Sequence, residues 1–324
     1  MAVGRAGARP QREDPRRVLA LRALGLGDLL TALPALRAAR RWWAPVPLVL
    51  AAPRAVGELA VAVGAADAAL PVGPLEPVPW HGEPPLAAVN LHGSGPQSHR
   101  LLLAARPRQL VAYASSEIGN DGPRWDPAEH EVHRWNRLVS WAGAGPRLQD
   151  LRVELPGEPV VARAVVVHPG TAQVSRRWPA ERFAAVAAAL AADGARVVVT
   201  GSADEAELVT SVVRAAGLPA EAALAGRVDL PGLVRLVQHA ALVVSGDTGI
   251  AHLATATGTP SVRMFGPVPP SRWGPLLDVE RHVVLYRGDG GTGEPFADHP
   301  DPGLLGIEVD EVLGAARGLL PARC

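Results

Sequence analysis

Short unbroken apolar runs alternate with stretches whose apolar residues recur at helical spacing, and the alternation continues from residue 18 almost to the end of the chain. The runs at 18–22, 47–51, 86–91 and 110–113 have strand length and little polar alternation, as strands buried on both faces of a parallel sheet do. Residues 29–43, 56–63, 101–105 and 129–141 read as the helices between and after them. Val132, Trp135, Leu138 and Val139 share one face of the last of these, which predicts core packing. The segment carrying Pro71, Pro74, Pro77 and Pro79 reads as connection.

A Pro/Gly break at Leu155-Pro-Gly-Glu-Pro159 marks a linker. Beyond it the alternation restarts, with strands at 165–167, 196–200, 241–244, 260–265 and 282–286 and helices at 179–192, 203–216, 231–239 and 309–320. Strand and helix in regular succession predict parallel sheets covered by helices. The expectation is an α/β chain of two doubly wound domains, 16–155 and 160–324, behind a flexible arm at 1–15. The final helix is placed to pack back on the first domain.

Composition narrows the class. The chain has 324 residues, 48% hydrophobic and 20% charged, and its formal net charge is +0, so nothing in the balance of charge favours nucleic acid. All 32 Lys+Arg residues are arginine, so no Arg is singled out merely for not being Lys. The one cysteine, Cys324, excludes a disulfide framework and a thiolate metal site and suits a reducing cytoplasm. No signal peptide and no run of about 20 apolar residues is present, so the expected location is cytoplasmic, with peripheral association at the inner membrane face left open.

Candidate chemistry gathers at strand ends. In Ser245-Gly-Asp-Thr-Gly249 an apolar strand stops and a helix begins, and a helix start offers N–H groups and the dipole to an anion; the alternative is that Asp247 only caps the helix. Gly25 and Gly27 form the first strand–helix loop and allow close approach of a ligand. Asp28 follows them, either as N-cap or as a carboxylate held over a ligand cleft.

Between His168 and Pro179 lie Thr171 and two guanidiniums, Arg176 and Arg177, suited to pairing a diphosphate. Glu205, after another strand, suits a ribose hydroxyl pair or a helix dipole. His252 sits one turn into the helix after Asp247, as a ligand contact or a packed core residue. The loop 92–100 supplies His92, Ser94, Gln97 and Arg100 as a second wall. There is no Asp-x-Asp, no cluster with metal spacing and no Walker lysine, so no metal and no cofactor is expected.

Taken together, Leu24-Gly-Leu-Gly-Asp-Leu-Leu-Thr-Ala-Leu-Pro-Ala-Leu-Arg37, His168-Pro-Gly-Thr with Arg176-Arg-Trp-Pro179, and Asp247-Thr-Gly-Ile-Ala-His252 with Gly258-Thr-Pro260 and Phe265-Gly-Pro267 resemble glycosyltransferase family 9, the ADP-heptose:lipopolysaccharide heptosyltransferases. The resemblance implies a GT-B fold of two facing Rossmann-like domains, and metal-independent inverting transfer of a heptose or related hexose from a nucleotide-diphosphate sugar, ADP-heptose being the candidate. The acceptor would be a hydroxyl of a glycan or lipid-linked acceptor, in bacterial cell-envelope glycan biosynthesis. Asp28 falls on the family's general base, and Thr171, Arg176, Glu205, Asp247, Thr248, Gly249 and His252 fall on its donor-binding positions. His92, Ser94, Gln97 and Arg100 remain the acceptor-side candidates. Two departures stand out: Arg176 replaces a common lysine, and Val268-Pro269 replace the usual Thr-Asp. A nucleotide-sugar epimerase of the same fold and a degenerate nucleotide-sugar-binding protein are the alternatives.

Overall fold

The computed structural model describes residues 16–320. The arm at 1–15 and Cys324 lie outside the described residues. Strands β1 (Val18–Leu21), β2 (Leu48–Ala52), β3 (Ala68–Pro71), β4 (Ala87–Asn90) and β5 (Leu110–Val111) form one sheet, and β6 (Val165–His168), β7 (Val197–Val199), β8 (Leu242–Gly246), β9 (Ser261–Phe265) and β10 (His282–Tyr286) form another. Every pairing within these sheets is parallel. The strands read as continuous apolar runs because helices cover both faces. Edge strand β3 was hidden in the Pro-rich connection: its residues are at best half-buried, so no apolar run marks it.

The strand orders differ. The first sheet runs β3-β2-β1-β4-β5 and the second β10-β9-β8-β6-β7. In each, two neighbouring strands lead away in opposite directions: β1 and β4 in the first sheet, β6 and β8 in the second. Open α/β sheets bind ligands at the crevice outside the carboxyl ends of such a pair. Val18 aligns with Leu48 and Ala87, and Val165 with Val197 and Leu242.

The helices are α1 (Leu26–Trp42), α2 (Arg54–Ala62), α3 (Gln97–Leu103), α4 (Glu131–Trp141), α5 (Ala180–Ala192), α6 (Ala206–Ala215), α7 (Leu230–Gln238), α8 (Gly249–Thr257), α9 (Pro270–Trp273), α10 (Pro302–Leu305) and α11 (Val309–Leu319). α1 packs on α4 within the first half and on α8 across the junction, while α2 meets α7. One apolar cluster runs from Leu33 and Leu36 of α1 to Ile250 and Leu253 of α8, so the halves share a core where these helices meet.

Several local expectations need correction. α1 begins at Leu26 with Gly25 as N-cap, which makes Asp28 the third helical residue and not the cap. Likewise Thr248, not Asp247, is the N-cap of α8. The helix expected at 203–216 opens with a 3-10 turn at Ala203–Glu205, because Ser202 and Glu205 form a capping box there. α3 begins at Gln97, inside the loop expected at 92–100. Helix α11 packs on α5, β8 and β9 and not on the first domain: Val312, Leu313 and Ala316 join the core of the second.

Candidate active site

The two crevices face each other and merge in a cavity of about 710 Å³, within the range of small-molecule sites. From the first half it takes Gly25, Leu26, Gly27 and Asp28; from the second, among others, Thr171, Arg176, Arg177, Glu205, Asp247, Thr248, Gly249 and His252. Residues from four strand ends, distant in sequence, thus line one space.

Two glycines allow the halves to meet. A Cβ on Gly27 would lie 2.9 Å from His252 Cδ2, and one on Gly249 would lie 3.1 Å from Leu26 Cβ and 3.2 Å from the Gly27 nitrogen. The N-terminal turns of α1 and α8 therefore converge on the cavity, with the N–H groups that a helix cannot satisfy internally.

Asp28 is 30% exposed and is held at both oxygens. Its Oδ2 accepts from the Gly25 N–H (3.3 Å), and its Oδ1 from Arg22 Nη2 (3.1 Å). Capping and cleft-lining are thus roles of one side chain. Arg22 itself is buried, stacks 4.7 Å over the Trp135 ring and bonds Glu131 Oε1 at 2.8 Å. Glu131 is buried too. Burial pushes its carboxyl up, but Arg22 and Arg134 outweigh that and hold it below its usual value.

Across the cavity, Asp247 is buried on the loop after β8, and Arg176 Nη1 reaches its Oδ2 at 3.2 Å. Burial raises its pKa, opposed by Arg176 and Arg263. His252 Nε2 stands 3.9 Å from Asp247 Oδ1, too far for a hydrogen bond. Burial, reinforced by Arg263, His130 and Arg176, pushes His252 down to about 3, so its ring is neutral at physiological pH. Its other neighbour is Trp273, with ring centroids 5.6 Å apart.

Beneath them Arg263, fully buried in β9, donates from Nη2 to Thr255 Oγ1 (2.6 Å) and from Nε to Ser261 Oγ (2.8 Å), while Nη1 has no partner. Burial lowers it to about 9, with Asp247 opposing. Glu205 Oε2 accepts from the Ser202 N–H at 2.7 Å, and a Cβ on Gly170 would collide with the Glu205 carboxylate, so that glycine makes the carboxylate's room. Leu224, Val228, Leu230 and Leu233 make an apolar wall near it.

The acceptor-side candidates lie elsewhere. His92, Ser94, Gln97 and Arg100 do not line the cavity. His92 is nearest to the chemistry: its Nδ1 accepts from the Ala23 N–H at 3.2 Å, and burial together with Arg22 lowers its pKa against the pull of Asp28. Gln97 opens α3, and Arg100 pairs with Glu117 at the surface.

Sequence reasoning missed Arg22, Glu131, Arg263 and Trp273. A charged residue at the end or in the middle of an apolar strand, as at Arg22 and Arg263, was the available signal. Among the described residues no group of three His, Cys, Asp or Glu side chains is arranged to hold a metal, and no helix is long and apolar enough to cross a membrane.

The model of glycosyltransferase family 9, the heptosyltransferases, matches residues 134–290, which carry Arg176, Glu205, Asp247 and His252. Through this segment the chain is similar to glycosyltransferase family 9. A lipopolysaccharide heptosyltransferase 3 of Escherichia coli is 35% identical over 177 residues, 53% of this chain and 51% of the relative. The chain thus aligns with about half the length of that relative. Among solved structures, a glycosyltransferase family 9 protein of Veillonella parvula has a TM-score of 0.73 at 18% identity, covering 94% of this chain and 97% of that one. The E. coli ADP-heptose lipopolysaccharide heptosyltransferase II has 0.72 at 19%, covering 94% and 98%. These likenesses identify the architecture as the GT-B fold of two parallel-sheet domains. Asp28 and its loop precede the matched segment, so their assignment rests on geometry.

Proposed function

We propose that this protein is a glycosyltransferase that moves a sugar from a nucleoside-diphosphate donor to an acceptor hydroxyl, with inversion and without a metal, Asp28 serving as general base. The observation that carries this reading is the single cavity shared by Asp28 and the Arg176, Asp247, Thr248 and Gly249 set. The base of the donor would lie against Leu224, Val228, Leu230 and Leu233, its ribose at Glu205, and its diphosphate at the start of α8. There Arg176 and the Thr248 and Gly249 amides take up the charge of the leaving diphosphate, with Arg263 beneath. Thr171 flanks the diphosphate, and neutral His252 packs against the same seat.

Asp28, on the opposite wall, accepts the proton as the acceptor oxygen forms its bond to the anomeric carbon. The bond from that carbon to the phosphate oxygen breaks, and its electron pair leaves with the diphosphate. One displacement from the face opposite the leaving group inverts the anomeric centre. A heptose on ADP is the donor we favour, since the structurally similar E. coli enzyme is named for ADP-heptose. A lipopolysaccharide core is the favoured acceptor, reached from the cytoplasmic face.

The test is Asp28→Asn, assayed for transfer and for ADP binding by calorimetry. Transfer should fall by about a hundredfold to ten-thousandfold with ADP affinity unchanged. Wild-type turnover in this variant would remove Asp28 from the mechanism. A donor isomerised in the absence of any acceptor would make the protein an epimerase.

A further inference from the structure

Behind Asp28 lies a closed set of charges that the proposed transfer does not use. Arg22, 1% exposed, is engaged on three sides. Its Nε donates to the backbone oxygen of Asp28 (3.0 Å), its Nη1 to that of Leu91 (2.5 Å), and its Nη2 to both Asp28 Oδ1 (3.1 Å) and Glu131 Oε1 (2.8 Å). Trp135 Nε1 donates to the same Glu131 oxygen at 2.8 Å, and Arg134 Nη1 bonds the other. Arg134 is anchored in turn on the Asp126 and Glu129 carbonyls, at 3.0 and 2.8 Å, and over the Trp125 ring at 4.3 Å.

Two cations and two anions are thereby matched, and the cluster ties α4 to the start of α1. Helix capping does not call for it, because the Gly25 N–H bond to Oδ2 is made without Arg22 or Glu131. Stability does not call for it either, since buried ion clusters can often be replaced by apolar groups without loss. What a rigid guanidinium fork does supply is direction. With one Asp28 oxygen held by Gly25 and the other by Arg22, the carboxylate has one orientation, facing the cavity.

We propose that Arg22 and Glu131 are positioning residues for the transfer: Glu131 fixes the Arg22 fork, and the fork aims the Asp28 carboxylate at the acceptor oxygen. This rests on the reading of Asp28 as the base. Misplacing a reacting group by about 1 Å costs on the order of a hundredfold.

The test places Glu131→Gln and Arg22→Lys in the wild-type and in the Asp28→Asn protein, with kcat, ADP affinity and thermal unfolding measured for each. Each substitution should lower kcat by roughly tenfold to a hundredfold in the wild type and leave the Kd for ADP within about twofold. In the Asp28→Asn background it should lower the residual turnover no further, because a group that acts through Asp28 has nothing left to aim. Independent, multiplying losses in that background would overturn the proposal. So would a parallel loss of ADP affinity, wild-type kcat in both single variants, or loss of cooperative unfolding in both, which would make the network purely structural. Arg22→Lys keeps the buried charge and decides the matter if Glu131→Gln alone fails to fold. Full turnover in Asp28→Asn by itself would instead refute the base, a result distinct from a wild-type Glu131→Gln beside an inactive Asp28→Asn.

Discussion

The two walls of the cavity handle buried charge in opposite ways. On the first, Arg22 and Arg134 are matched by Asp28 and Glu131, and Arg134 Nε is the buried atom of these four side chains left without a partner. On the second, Arg176 pairs with Asp247 and His252 is driven neutral at about 3, while Arg263 and His282 are buried behind the lining, His282 also neutral at about 3; Arg176 Nε, Arg263 Nη1 and His282 Nε2 are unpartnered. A matched cluster holds a side chain still. An unmatched cation, in a low-dielectric site beside a helix N-terminus, attracts an anion from outside. Donor affinity should therefore reside on the second wall, and loss of the base on the first should leave it unchanged.

The largest separation is expected from Asp28→Asn, whose loss of about a hundredfold to ten-thousandfold should appear in kcat alone. Arg176→Met should instead weaken ADP by about tenfold to a hundredfold, the value of one lost charge-assisted contact, and lower turnover as well. Calorimetric titration of both variants checks this pair, and equal losses of ADP affinity would erase the distinction between the walls.

A smaller effect is expected at the seam. Gly27→Ala places a methyl 2.9 Å from His252 Cδ2, where overpacking costs about 1–3 kcal/mol. Denaturant unfolding should register that destabilisation. An unchanged midpoint would mean that the walls meet less closely than Gly27 and Gly249 imply.

The smallest effect concerns pH. His252 and His282 bind protons near 6.5 when unfolded but only near 3 when folded. Below 6.5 the unfolded chain takes up protons that the folded one refuses, so both histidines favour folding above that pH and progressively less as pH falls toward 3. Between pH 7 and 6 each contributes under about 1 kcal/mol to the decline. Thermal unfolding across that range should show it, and His282→Asn, which keeps an acceptor for Ser261 and Arg263, should flatten the slope. An unaltered slope would mean that His282 is already charged in the folded protein.

Legibility in the sequence followed locality. Strand β10 lies at 282–286 as periodicity predicts, and the apolar stripe of α4 is buried as expected. β3 escaped because an exposed edge strand has no apolar run to declare it, and the one-turn helices α9 and α10 are too short to show a period. Asp28 and the donor-side candidates stood out because each follows an apolar run and a glycine turn. Arg22 and Glu131 did not, because they meet across 109 positions in the chain.

By itself the sequence determined which segments are strands and which are helices, that the chain has two successive α/β halves, and that polar residues stand at their strand ends. These are properties of single elements, set by the side-chain period of a strand or a helix and by the backbone freedom of glycine. Tertiary structure alone decided which strand ends share a cavity, that α1 and α8 touch at two glycines, and that one wall's charges are matched while the other's are not. Those outcomes depend on which elements pack together, and the strength of a buried charge depends on partners and desolvation that exist only after packing.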